Sequence, residues 1–307
     1  MPPASTAVGF YLLGISSRTG DVLAKLGYGQ LLKIVNWRQA TWVACAIGLG
    51  AAALGGALHA DSPTRRDVQS VRLAPRELRA ILARILSSGH FWLAASALSG
   101  TCVVKRAIEL LGALYFFDTS ANLSQADAAS LAMVWSAGLA LSVLCGGPLF
   151  TRLRPRGKSA LVGCLLSLSV FGCAALSRLS ANEAVTNADV ALRAGMIFLT
   201  AIGIGLPYYV PPGMFAVSFG ARNSGTVSAY LDTVAFAVSG ASIACLRPVL
   251  DGSEHGWAMV WAILTAVAVA ALLLQLVFLR ALLHRGDEQQ ELYRGDACRS
   301  SAGPVDE

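Results

Sequence analysis

Five stretches of the chain carry no charged residue for about the length of a membrane crossing: Gln39–Leu58, Ala128–Thr151, Ser159–Ser177, Ala194–Ala221 and Gly256–Leu279. A helix needs roughly 20 predominantly apolar residues to cross the hydrocarbon of a bilayer. One such run could be a helix buried in a large soluble core. Five of them, with no polar stripe repeating at 3.6 residues, leave no surface from which a water-soluble fold could be made. In hydrocarbon every backbone amide must be satisfied within its own segment, so each run is expected to be an α-helix. Charged residues make up only 14% of the chain, against roughly 25% in a soluble domain.

Three further stretches read as spans in spite of their charges. Ala7–Leu32 contains Arg18, Asp21 and Lys25; Phe91–Phe117 contains Lys105, Arg106 and Glu109; Asn223–Leu246 contains Asp232. The expected fold is all-α, a polytopic helical membrane protein with about eight transmembrane helices. The net charge of +6 would cluster on one polar face in a nucleic-acid binder. Here the basic residues fall between apolar runs, so the bilayer is the expected partner and nucleic acid is not.

Those basic residues alternate from side to side. Residues 59–90 hold Arg65, Arg66, Arg72, Arg76, Arg79 and Arg84; RLRPRGK follows at 152–158, then Arg222, then Arg280, Arg285, Arg294 and Arg299 towards the end. The opposite connections hold none at 118–127, and elsewhere only Lys33, Arg38, Arg178 and Arg247. The positive-inside rule places the 59–90 loop and both termini in the cytoplasm. Within that loop PRELRAILARIL, residues 75–86, reads as an amphipathic helix at the membrane surface. The polar tail from 284 is expected to be disordered. The sequon Asn122-Leu-Ser124 lies in an outer loop too tight against the membrane to be used. Seven cysteines show no framework and read as small buried hydrophobes. The first residues, MPPASTAVGF, lack the basic region of a signal peptide.

Two parts of the chain look alike. A glycine-dotted helix from Gly9, a short break and Trp37 precede an apolar span; the same order runs from Gly225 to Trp257. Helices rich in small residues allow close backbone approach, and repeated helix sets are a common plan of secondary transporters.

The glycine-dotted helix closed by NWRQATW, the long basic stretch 59–90 and the six spans of 91–283 resemble, in that order, parts of the major facilitator superfamily. They are similar to its fifth helix and the start of its sixth, its central cytoplasmic loop and its C-terminal half. GGPLFTRLRPRGK, residues 146–158, resembles the family's basic loop after the eighth helix, with Thr151 where an aspartate is usual. The resemblance implies a secondary active transporter with an incomplete major-facilitator fold. Residues 1–58 would be the last two helices of the N-terminal half-bundle and 59–90 a cytoplasmic linker. Residues 91–283 would form a C-terminal six-helix bundle and 284–307 a tail. The first four helices, and with them one basic residue of a phosphate site, would lie outside the chain. A basic residue midway along a span, Lys105 or Arg106, followed by Tyr115-Phe116-Phe117, resembles the organophosphate:phosphate antiporters, which include the sugar-phosphate exchangers. That likeness implies a small anionic organic solute such as a phosphate ester, with inorganic phosphate or a proton as the coupling ion. The competing reading is a truncated, non-transporting pseudotransporter with a regulatory or structural membrane role.

The intramembrane charges are the candidate chemistry, since each costs at least about 2.5–3.5 kcal/mol on insertion scales. Lys105 and Glu109 are four apart and share a helix face. Arg106 points about 100° away, and its planar fork suits a phosphate or carboxylate. Arg106 is therefore the expected anion ligand, with Lys105 and Glu109 as a pair; the alternative is a purely structural ion pair between helices. Asp232, with Tyr230 nearby, could pair with a cation or carry a proton. Arg18 and Asp21 could line a wet path. Pro207, Pro211 and Pro212 are expected to interrupt their helix, freeing Tyr208 and Tyr209 to hydrogen-bond a substrate or producing only a packing kink. His59, His90, His255 and His284 have no metal spacing. No phosphate-cradling glycine loop and no nucleophile elbow is present. Neither a cofactor nor enzymatic activity is expected.

Overall fold

The computed structural model describes the backbone of residues 4–58, 79, 82–83, 85–120, 123–181, 186–220, 223–253 and 255–301, and their side chains except at 4–15, 18, 58 and 284–301. Most of the surface helix expected over 75–86, and the sequon at Asn122, lie outside the described residues. Among the described residues every regular element is a helix. Its helices are α1 (Ala4–Leu31), α2 (Trp37–Leu58), α3 (Gly89–Thr119), α4 (Gln125–Leu131), α5 (Met133–Arg152), α6 (Pro155–Leu179), α7 (Asn187–Gly220), α8 (Ser224–Asp251) and α9 (Gly256–Ser301).

Six spans are long and apolar enough to cross a membrane: α2, α4 and α5 together, α6, α7, α8, and α9 as far as Leu283. The charged helices α1 and α3 are of equal reach, at 28 and 31 residues. The molecule is thus an integral, multi-pass helical membrane protein of about eight spans.

Three sequence expectations are corrected. The span expected from Ala128 begins at Gln125 and breaks at Ala132, where the amide N–H turns back to the Ala128 and Ser130 carbonyls. The Ser124 side chain starts it, accepting from the Asp127 N–H and donating to the Asp127 carboxylate, a capping arrangement. The tail expected to be disordered continues α9 to Ser301; Glu288, Gln289, Gln290, Glu291 and Leu292 are all good helix formers. The three prolines do not interrupt α7, which stays helical from Asn187 to Gly220.

The core is a bundle of α3 and α5–α9. Helix α7 lies along α5 and α6, α9 along α6 and α3, and α3 along α8. Small residues set the distances. A Cβ on Gly138 of α5 would stand 2.6 Å from the Ala201 Cβ on α7 and 2.7 Å from the Phe198 carbonyl oxygen. A Cβ on Gly205 would stand 2.6 Å from the Ser142 Cβ. Gly138 and Ser142 are four apart, so one face of α5 presents a seam of small residues and the backbones close on each other.

That closeness explains the shape of α7. Ser142 donates to the Ile202 carbonyl at 2.6 Å and accepts from the Leu206 N–H at 2.9 Å. Its hydroxyl thus sits inside an i→i−4 step of the helical ladder, just ahead of Pro207. Pro211 then deprives the Pro207 carbonyl of its usual donor. Gln275, fully buried in α9, supplies one at 3.1 Å.

Helix α1 does not form a packed pair with α2, which it barely touches; it lies against α5 and α4. The apolar stretch of α2 is only 6% buried. Lys33, in the turn after α1, reaches the Asp127 carboxylate of α4 at 3.2 Å.

Candidate functional site

The three charges of α3 form one cluster. Lys105 is 4% exposed and its Nζ meets Glu109 Oε1 at 2.7 Å. Arg106, 38% exposed, donates from a terminal nitrogen to Glu109 Oε2 at 3.2 Å. The geometry departs from the sequence reading, in which Glu109 pairs with Lys105 alone. Offsets of three and four both bring a long side chain to the same turn of helix, so the carboxylate splits, one oxygen to each cation. Within α3 itself two positive charges share one negative charge. Buried groups of this kind interact far more strongly than they would in water.

Aromatic rings hold the two cations apart. The Lys105 ammonium sits 5.0 Å from the centre of the Tyr208 ring on α7, and the Arg106 guanidinium 4.6 Å from that of Phe236 on α8. Both fall within cation–π range. Tyr208 is the hub of the arrangement. Tyr209 meets it edge-on at 4.7 Å, and Glu109 and Asp232 lie within electrostatic reach of its hydroxyl. It packs against both hydrophobic clusters of the bundle. One turn before Lys105, the Cys102 thiol lies 3.7 Å from the Ser239 hydroxyl and ties α3 to α8.

Of the residues singled out in the sequence, Lys105, Arg106, Glu109, Tyr208, Tyr209 and Asp232 therefore come together. Tyr230 packs against the second hydrophobic cluster, as Tyr208 also does. Asp21 belongs to a separate site. Lys25 bonds Asp21 at 3.3 Å and donates to Ser136 of α5 at 2.7 Å, and the Ser136 hydroxyl donates to Asp21. This polar knot docks α1 on α5. The Arg18 side chain lies outside the described residues. Among the described residues no group of histidines, cysteines and acids could hold a metal ion.

Several partners had no prominence in the sequence. Phe236 and Ser239 read as ordinary members of an apolar helix. Gln275 is a lone polar residue in ALLLQLVFL, and that isolation is the one signal that could have found it. Arg193 sits at the edge of a span, where a basic residue passes for a loop charge. It is in fact buried, and its two terminal nitrogens donate to the last carbonyls of α3 and α6, Thr119 at 3.1 Å and Leu179 at 2.8 Å.

A family model described as the Major Facilitator Superfamily matches residues 5–244, well over half of the chain. No curated protein and no solved structure matches it.

Proposed function

The chain belongs to the Major Facilitator Superfamily, as a multi-pass membrane protein of the secondary-transporter type, and on that premise we propose that its solute is a small organic anion of the phosphate-ester class. The observation that carries this reading is the division of Glu109 between two cations. Lys105 is almost fully enclosed, whereas Arg106 remains partly open, and a guanidinium can grip two oxygens of a phosphate or carboxylate at once. Arg106 is the anion ligand, Lys105 and Glu109 set its charge and position, and Tyr208 and Tyr209 border the solute. Asp232, which makes no ion pair among the described residues, is the group that would carry a proton if a proton is the coupling ion. The solute is carried and not chemically altered. The RLRPRGK loop and both termini face the cytoplasm, and cysteines placed at 154 and 123 should label from opposite sides of the membrane.

The test is equilibrium binding of glycerol phosphate, a hexose phosphate and inorganic phosphate to the purified full chain. Arg106→Ala should weaken binding at least about tenfold, consistent with loss of a charge-assisted pair. Recovery of the ester unchanged, and its exchange for phosphate across proteoliposomes, would support carriage. If Lys105→Ala and Arg106→Ala both stay folded and bind as the wild type does, the cluster is structural and the phosphate-ester reading falls.

A further inference from the structure

A second basic site lies on the outside of the bundle. Helices α6 and α9 enclose an open groove of about 1090 Å³ lined by Gly163, Ser167 and Phe171 from α6 and Leu276 from α9, with Arg156 and Arg280 both on its wall. The two arginines stand at the same end. A Cβ on Gly163 would lie 3.4 Å from the Leu276 side chain, which puts these two on one level. From that level α6 descends seven residues to Arg156 and α9 descends four to Arg280, roughly 10 Å and 6 Å at 1.5 Å per residue. Both guanidinium groups are exposed. Among the described residues no acidic residue lines the groove and neither arginine forms an ion pair. Above them the groove is almost wholly apolar, and from Arg156 to Phe171 it runs about 22 Å along the helix. That exceeds the roughly 15 Å of hydrocarbon in one leaflet, so it accommodates a chain lying along the bilayer normal.

We propose that this groove holds one anionic phospholipid, its phosphate between Arg156 and Arg280 and an acyl chain against Gly163, Ser167 and Phe171. Two like charges at one end of a groove repel, and an anion bound between them relieves that repulsion. An apolar channel of leaflet length leading away from the anion site selects a lipid over a free phosphate. Basic pockets between transmembrane helices recognise lipid headgroups by this chemistry. The site is separate from the α3 cluster, so its failure would leave the solute reading untouched.

The test is native mass spectrometry of the full chain in neutral detergent, with equimolar phosphatidylglycerol and phosphatidylcholine of identical acyl chains. The wild type should retain phosphatidylglycerol roughly tenfold better. The Arg156→Gln/Arg280→Gln variant should lose that preference. Ser167→Trp, which fills the channel and spares both arginines, should lower retention of both lipids. Millimolar inorganic phosphate should not displace the bound lipid. Equal retention by the double variant overturns the proposal, as does full retention by Ser167→Trp, which would mean attraction to surface charge alone. Displacement by inorganic phosphate would assign the arginines to a free anion. A dimer that the groove substitutions dissociate would assign the face to a second copy of the chain. Either result rejects the lipid.

Discussion

Gln275 on α9 donates its side-chain amide to the Pro207 carbonyl of α7, the one backbone acceptor that Pro211 leaves without a helical donor. The proline that opens the ladder and the glutamine that closes it sit on different helices. Restoring an N–H at 211 should therefore make Gln275 dispensable. Gln275→Leu is expected to lower stability by about 1 kcal/mol in the wild-type background, the scale of one buried hydrogen bond. In the Pro211→Ala background it should cost much less. Thermal unfolding of the four proteins in one detergent measures the coupling; strict additivity would mean that the two residues do not share this carbonyl.

Glu109 restrains two cations at once, so its removal should act in opposite directions on stability and on binding. Glu109→Gln removes the carboxylate that meets the enclosed Lys105, at a cost on the order of 3–5 kcal/mol. It also frees the full charge of Arg106. Anion affinity should rise roughly tenfold while the melting temperature falls. Parallel loss of both would show that Glu109 orders the site and does not compete for its charge.

The seam between α5 and α7 predicts a contrast between two glycines. Gly138→Ala forces a methyl group into the Ala201 and Phe198 contact and should destabilise by about 1–3 kcal/mol. Gly195, on the same α7 helix that the seam faces, has nothing within 4 Å of a Cβ. Gly195→Ala should be neutral or stabilising by up to about 1 kcal/mol, as helix propensity alone dictates. Equal effects at both positions would contradict the close approach of the two backbones.

The docking of α1 can be tested with a disulfide. A Cβ on Gly29 would touch Ser130 of α4, so a Gly29→Cys/Ser130→Cys pair should cross-link under mild oxidation. A pair joining Leu54, exposed on α2, to Ser130 should not. The Asp21–Lys25–Ser136 knot holds the same interface, and Ser136→Ala should slow the first cross-link.

Much of the fold could be read because the bilayer imposes so strict a rule. Each uncharged run had to become a helix, and the observed α2 starts within two residues of the run at Gln39 and ends with it at Leu58. The charged spans around Lys105 and Asp232 were also legible, because an intramembrane charge is too costly to be incidental. Which partners those charges find depends on tertiary packing, and hydropathy carries no trace of it. The step of one residue from Lys105 to Arg106 suggested divergence, yet two long flexible side chains converge on Glu109. The helix break at Ala132 has neither glycine nor proline to announce it. The prolines of α7 did announce themselves, but the sequence could not show that Ser142 and Gln275, distant in the chain, would repair the ladder around them.

Arg193 gives the end of the bundle opposite the RLRPRGK loop a mechanical character. Its guanidinium grips the final turns of α3 and α6 from within α7, at the negative poles of two helix dipoles. Pulling α3 away from α6 there would break charge-assisted hydrogen bonds from a buried cation to two helix-end carbonyls. The three helix ends therefore behave as one rivet, and any opening of that mouth must take place at a boundary outside the trio.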